Sequence, residues 1–134
     1  MYDINCSLII LYSNSKVLLQ KRTFDAPVLA GFWAFFGGGI EEGETPLEAL
    51  YRETYEELEY RLKSPQFLLE QEFELEGKRG YMHVYIEKIN LLKVKLICHE
   101  GEKFGWFGIE DIEVLKMLEH DKKILYKIFE VISY

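Results

Sequence analysis

At 134 residues the chain is the size of one domain, long enough to bury roughly two-thirds of the surface its unfolded form exposes without disulfides or a structural metal. Its 49% hydrophobic and 29% charged residues exclude the disordered classes. A net charge of -7 with no basic stripe opposes general binding to a nucleic-acid backbone. Cys6 and Cys98 lie in separate apolar runs, with no second ligand at zinc-like spacing around Cys6, and are expected to be buried thiols. The first residues show no basic region followed by an apolar stretch and a cleavage site, and the longest apolar runs fall far short of a membrane span. A cytoplasmic location with no membrane partner is the expectation.

No repeat, low-complexity tract or linker divides the sequence, so one domain over residues 1–134 is predicted. Ser7 to Tyr12 and Val17 to Gln20 are apolar, strand-forming runs either side of a Ser13-Asn14-Ser15-Lys16 turn. Phe32 to Phe36 is a third strand candidate, ended by Gly37-Gly38-Gly39. A helix follows from Pro46 to Leu58. Phe67 to Leu75 and Tyr81 to Ile89 flank Glu76 to Gly80 as a hairpin, and Phe104 to Phe107 forms one more short strand. Asp121 to Ile132 places Ile124, Leu125, Ile128 and Val131 or Ile132 at helical spacing, an amphipathic helix packed on the sheet. Strands, a helix, more strands and a final helix predict a mixed α/β layer arrangement rather than a regular βαβ winding.

The middle helix carries the chemistry. Thr45 suits the N-cap, Pro46 the first helical position, and Glu48 closes a capping box. Leu47, Leu50, Tyr51, Thr54 and Leu58 form a stripe expected to face the core, which leaves Glu53, Glu56 and Glu57 on the opposite side within one turn. Like charges at these spacings cost roughly 0.2 to 0.5 kcal/mol per pair, and acids in the last turn oppose the helix dipole, so a cation is expected there. A hard divalent ion held by a few carboxylates and by substrate phosphates turns this repulsion into ligation. A solvated acidic face is the other reading of the helix by itself.

From Gly38 the chain runs glycine, five residues, Glu44, seven residues, Arg52-Glu53, two residues, Glu56-Glu57. This resembles the Nudix box over Gly38 to Tyr60. A looser likeness extends through the opening strands, Lys21-Arg22, the aromatic strand before the glycines and the acid-then-Trp segment near the end, and is similar to the compact MutT-type branch. Two positions depart from the pattern. Glu59 stands where the box has glycine, with Tyr60 at the following aliphatic position, and a non-glycine residue accepts the left-handed conformation of a helix exit less easily. Phe36 replaces the usual proline before the glycines and predicts a less rigid start to that loop.

The resemblance implies an α/β Nudix-type fold, a mixed β-sheet between helices, and Mg²⁺-dependent hydrolysis of a nucleoside diphosphate linked to a group X, with Mn²⁺ as a substitute metal. Under it Glu56 and Glu57 bind metal, Glu53 helps activate water and shares a metal, and Arg52 orients Glu53. Gly37 or Gly38 presents backbone to metal and phosphates, and Glu44 ties the loop to the helix. A further acid comes from outside the box, Glu100 with Glu102 as competitor. Lys21 or Arg22 contacts phosphate, a strand-end surface charge being the alternative. The leading substrate is a nucleoside triphosphate, oxidised deoxynucleotides included, cleaved to monophosphate and pyrophosphate. Dinucleoside polyphosphates, nucleotide sugars and ADP-ribose are the alternatives within the class, and a non-catalytic nucleotide sensor is the alternative outside it. The partner is thus a small nucleotide and not nucleic acid, and the chain a monomer or homodimer. Phe32, Trp33, Phe73 and Tyr81 are candidates to stack on a base, with core packing the commoner role, and His83 and His120 are read as structural. Glu57→Gln is expected to cut turnover by orders of magnitude and, as an exposed change, to alter stability little.

Overall fold

In the computed structural model, which describes residues 1–99 and 103–132, Glu100 and Glu102 lie outside the described residues. The chain forms β1 (Ile4–Ser13), β2 (Lys16–Lys21), β3 (Trp33–Ala34), β4 (Phe36–Gly39), α1 (Pro46–Leu58), β5 (Gln66–Leu75), β6 (Lys78–Lys88), β7 (Lys103–Phe107), α2 (Ile109–Ile112) and α3 (Glu119–Ile132). The predicted first turn is a two-residue hairpin: Asn14 and Ser15 take φ of 50° and 63°, and Ser13 faces Lys16. Such turns match the twist of the flanking strands. The second hairpin closes the same way on Glu76 and Gly77 at φ of 50° and 80°, so Lys78, Arg79 and Gly80, expected in the turn, belong to β6.

β1 is the centre of the sheet. It pairs in parallel with β6 from Ile4↔Gly80 to Tyr12↔Lys88, while its other edge is shared by β2 near the turn and by β4 from Cys6↔Gly39 to Ile9↔Phe36. β7 lies antiparallel on β2 from Val17↔Phe107 to Lys21↔Lys103. The predicted strand Phe32 to Phe36 is in fact two: β3 pairs with β2, and the chain then crosses to β1, so that the glycines form a strand instead of ending one. Phe35 and Phe36 make the crossing, adjacent residues buried on opposite faces of the sheet. The expected looseness at Phe36 is corrected here, because a ring 1% exposed in the core anchors the glycine strand.

Helices cover both faces, as the expected fold requires. On one face Ile10, Val17, Leu19, Met82 and Val84 pack against Ile124, Leu125 and Ile128 of α3, and Ile132 rather than Val131 joins them. On the other, Ile9, Leu11, Leu18 and Phe36 pack against Leu50 and Leu58 of α1. Each such fully buried side chain contributes about 1.5–3 kcal/mol relative to exposure. The buried stripe of α1 is Ala49, Leu50, Thr54, Glu57 and Leu58, whereas Leu47 and Tyr51 are 42% and 39% exposed. The helix is turned from the predicted stripe, and the turn brings Glu57 to the sheet.

Candidate active site

The start of α1 is fixed by its own neighbours. Thr45 Oγ1 accepts the Glu48 N–H at 3.1 Å, and Glu48 Oε1 accepts the Thr45 N–H at 2.8 Å. Ser7 of β1 donates its hydroxyl to the Pro46 carbonyl at 2.6 Å, which pins this end to the sheet.

One turn further on, Arg52 gathers the acids. Its Nε and Nη2 donate to the two carboxylate oxygens of Glu44 at 2.8 and 2.9 Å, a bidentate pair, while Nη1 reaches Glu53 Oε1 at 2.8 Å and Nη2 also reaches the Gly39 carbonyl at 3.0 Å. Glu41 and Glu56 each stand 3.6 Å from Nη1. The fork geometry is one that a lysine does not reproduce. The Arg52 hydrogen bonds, joined by the Glu41 N–H, hold the Glu44 carboxyl down at about 2, and Glu44 in turn pushes the already strongly basic guanidinium up further. Glu44 and Arg52 thus join the loop to the helix, and Arg52 is a fixed positive charge beside Glu53 and Glu56.

Two carboxylates turn towards the glycine strand. Glu57, 2% exposed, accepts the Gly37 N–H at 2.7 Å. Gly37 sits at φ of 133°, where a Cβ would meet the Ser7 carbonyl oxygen at 2.1 Å. A Cβ on Gly38 would stand 2.6 Å from the carboxylate carbon of Glu53, so only glycine lets that acid lie against the strand. Glu56 points outward with its side chain 57% exposed. The three carboxylates thus occupy two settings rather than one convergent face, and Glu57 is not the exposed residue the helix pattern predicted.

The donor set suits a hard divalent cation: carboxylates on one helix, a glycine cradle that leaves no room for a side chain, and backbone close by. Among the described residues no three acidic, His or Cys side chains form a ready-made cage. Mg²⁺ needs none, since it is typically held by one or two carboxylates together with waters and substrate phosphates.

The exit of α1 departs from expectation in an informative way. Glu59 does adopt the left-handed conformation, φ 51° and ψ 33°, and donates its N–H to the Tyr55 carbonyl at 2.9 Å. Its carboxylate pairs with His99. The Ile97 and His99 N–H groups donate to the Leu58 and Glu57 carbonyls at 3.2 and 2.8 Å, satisfying groups that a helix end leaves open. Tyr60 is buried and donates its hydroxyl to Glu87, which also accepts the Lys63 and Ser64 N–H groups. Burial and that carboxylate push the phenol well above its ordinary range.

A cavity of about 230 Å³ lies where the sheet meets the start of α3, lined by residues that include Cys6, Leu8, Gln20, Gly37, Phe73 and Asp121. Arg22 is on its wall, with Nε donated to the Val28 carbonyl at 2.9 Å. Lys21 ends β2 with its ammonium 5.6 Å above the Phe24 ring. Of the aromatic candidates only Phe73 borders the cavity, along with His120. Trp33 packs edge-on against Phe107 at 4.7 Å, Phe32 lies under Lys116, and Tyr81 stands beside Tyr2 and His83. Ser7, Gln20, Glu87 and Asp121 escaped the sequence reading. An acid inside the apolar run of β6 was the one signal for Glu87, and nothing local distinguished the others from ordinary strand or helix polarity.

Phosphoric anhydride cleavage asks a protein for positioning and charge neutralisation rather than for covalent chemistry, and the acidic face of α1 against a glycine strand has the oxygen donors to hold a divalent cation that would supply the positive charge. The family model described as the NUDIX domain matches residues 1–128, and the chain belongs to that family, pyrophosphohydrolases acting on nucleoside diphosphate derivatives. An RNA pyrophosphohydrolase from Blochmanniella pennsylvanica is 28% identical over 127 residues, 94% of this chain and 69% of that protein. The nucleoside triphosphatase NudI from an Enterobacter species is 50% identical over 54 residues, 40% of this chain and 38% of that protein. The structure of a MutT protein from Methanosarcina mazei superimposes with a TM-score of 0.81 over 95% of this chain and 92% of that one, at 20% identity, a likeness of fold. Enzymes of this family generally use divalent cations, and no helix among the described residues is long and apolar enough to cross a membrane.

Proposed function

We propose that the chain hydrolyses free nucleoside triphosphates to the monophosphate and pyrophosphate in a Mg²⁺-dependent reaction. The observation that carries this reading is Gly37, which lines the cavity and at the same time holds Glu57 through its N–H. A base in the cavity thereby puts the phosphates next to the carboxylate face of α1. Glu56 and Glu57, with the Gly37 backbone, would hold the cation, which supplies charge neutralisation and activates water. Glu53 takes the proton of the attacking water, and Arg52 holds Glu53 in place while its bond to Glu44 keeps the guanidinium fixed. Arg22, which lines the cavity, is the proposed phosphate contact, with Lys21 as the alternative. Glu100, next to the His99 that caps the helix exit, is the further acid proposed for the metal. The acidic balance of the chain, -7, favours free nucleotides over the end of an RNA.

The test is a substrate panel with Mg²⁺: nucleoside triphosphates, a dinucleoside polyphosphate, a nucleotide sugar, ADP-ribose and a 5′-triphosphorylated RNA oligonucleotide, reading pyrophosphate and monophosphate. Nucleoside triphosphates are expected to give the highest kcat/KM, with a loss of activity on adding chelator. Faster turnover of another member overturns the substrate assignment, and no turnover of any member leaves a binding protein.

A further inference from the structure

The two faces of the sheet are covered unequally. α1 packs on β1 and β4 and leaves the β5–β6 half of its face half-buried or exposed. On β6, Met82 and Val84 turn into the core beneath α3, so Tyr81, His83 and Tyr85 turn to the α1 side, where Tyr85 joins the other core. The β5 register sets Phe67, Glu70, Glu72 and Glu74 opposite Tyr85, His83, Tyr81 and Arg79 on this same face. The rings make a row: Tyr2 to Tyr81 is 5.0 Å between centroids and Tyr81 to His83 is 5.3 Å, while Phe67, 56% exposed, meets Tyr85 edge-on at 5.7 Å.

The chain itself shows what such a surface accepts. Arg79 lies over the Tyr2 ring, 5.0 Å from its centroid, with Nη2 3.2 Å from Glu72, so a guanidinium is already held between a ring and a carboxylate. Beside this face runs a free edge. β5 is ten residues long and ends the sheet, and among the described residues no strand pairs with its outer side. The unpaired backbone groups of an edge strand are a template for another strand. Charge decides which strand fits. A second copy of β5 sets glutamates against glutamates, and a nucleic-acid backbone or an anionic lipid surface is repelled by Glu70, Glu72 and Glu74.

We propose that β5 and the open face beside it dock an extended, arginine-rich segment of a partner protein, which pairs with the β5 edge as a further strand and lays alternate arginines beside Glu70, Glu72 and Glu74 and against the tyrosine rings. β6 and the glycine strand lie on opposite edges of β1, so docking leaves the candidate active site open and is independent of the reaction.

The probe is a fluorescent synthetic peptide of about ten residues, the length of β5, with arginine alternating with valine, titrated against the intact chain by anisotropy. It is expected to bind at least about tenfold tighter than a peptide of the same composition with its arginines in one block, and tighter than its lysine counterpart. In a strand, alternate N–H groups point to opposite edges. N-methylation of one alternating set is therefore expected to abolish binding and of the other set to leave it. Glu70→Lys with Glu74→Lys is expected to weaken binding by at least about tenfold, whereas Glu113→Lys with Glu130→Lys, the same charge change on α2 and α3, changes it little. Tyr81→Leu keeps every charge in place and is expected to close the gap between the arginine and lysine peptides. Failure of the alternating peptide to bind, equal binding of the block peptide or of both N-methylated peptides, or an equal loss from the two double variants overturns the assignment. Dimerisation of the parent chain through β5, read by sedimentation, assigns the edge to a second copy and overturns it as well.

Discussion

The two ends of α1 are held by different means. At the start, Thr45, Pro46 and Glu48 satisfy the helix from within a few residues of sequence. At the exit, Glu59 takes a left-handed conformation, and the carbonyls of Glu57 and Leu58 are met by His99 and Ile97 from a distant segment. Glu53, Glu56 and Glu57, the acids proposed for the metal and the water, lie between the two. A locally capped start gives the helix its direction, whereas the exit decides which segment comes to lie beside Glu57, so the candidate site is bounded by an end that local sequence does not specify.

The largest effect that tests this picture is at Glu57 itself. Glu57→Gln is expected to lower kcat by at least about 100-fold under saturating Mg²⁺. Because this carboxylate is buried and accepts the Gly37 N–H, exchanging a charge-assisted bond for a neutral one is also expected to cost about 1 kcal/mol of stability by urea unfolding. Turnover within a fewfold of the parent would remove Glu57 from the metal site.

Arg52→Lys is next. Loss of the fork to Glu44 and Glu53 is expected to reduce kcat by about tenfold or more with a smaller change in KM, since positioning rather than binding is lost. An unchanged kcat would make Arg52 a charge-balancing residue only.

At the helix start, Thr45→Ala is expected to cost about 1 kcal/mol of stability, the usual value of a lost cap, with kcat per folded molecule unchanged. The exit gives a smaller and opposite response. Glu59→Gly relieves a left-handed non-glycine residue and gives up an exposed pair with His99, two terms of about 1 kcal/mol or less each. It is therefore expected to be neutral or slightly stabilising, whereas Glu59→Ala keeps the strain, loses the pair and destabilises. If Glu59→Gly were the more damaging, the pair with His99 would be the stronger fastening.

Acid gives the smallest signal. The Glu44 carboxyl is depressed from its ordinary 4.5 to about 2 by Arg52 and the Glu41 N–H. A depressed acid contributes its stability fully above the ordinary value and loses it as pH falls through the folded-state value, so the window runs from about 4.5 down to about 2. The difference in urea midpoint between the parent and Glu44→Gln should be constant near neutrality and shrink on going from pH 5 to pH 3. A difference that grew with acid would contradict the Arg52–Glu44 anchor.

What the sequence determined by itself was everything that depends on nearest neighbours and on spacing: the hairpins, the capped start of α1, the α/β class, and the Gly38 to Glu57 pattern that marks the family. The tie through Glu44 was legible for the same reason, since loop and helix are contiguous. The tertiary structure decided what depends on residues far apart in the chain. The stripe of α1 could not be phased by hydrophobicity, because Glu57 is buried for its bond to the Gly37 N–H and displaces Leu47 and Tyr51 towards solvent. Phe32 to Phe36 reads as one apolar run, and only the two cores on either side of the sheet divide it at Phe35 and Phe36. Asp121 and Gln20 look like ordinary polar positions in their own segments. They come to line one cavity only when α3 closes over the sheet, because the two positions are far apart in the chain and neither segment by itself places the other.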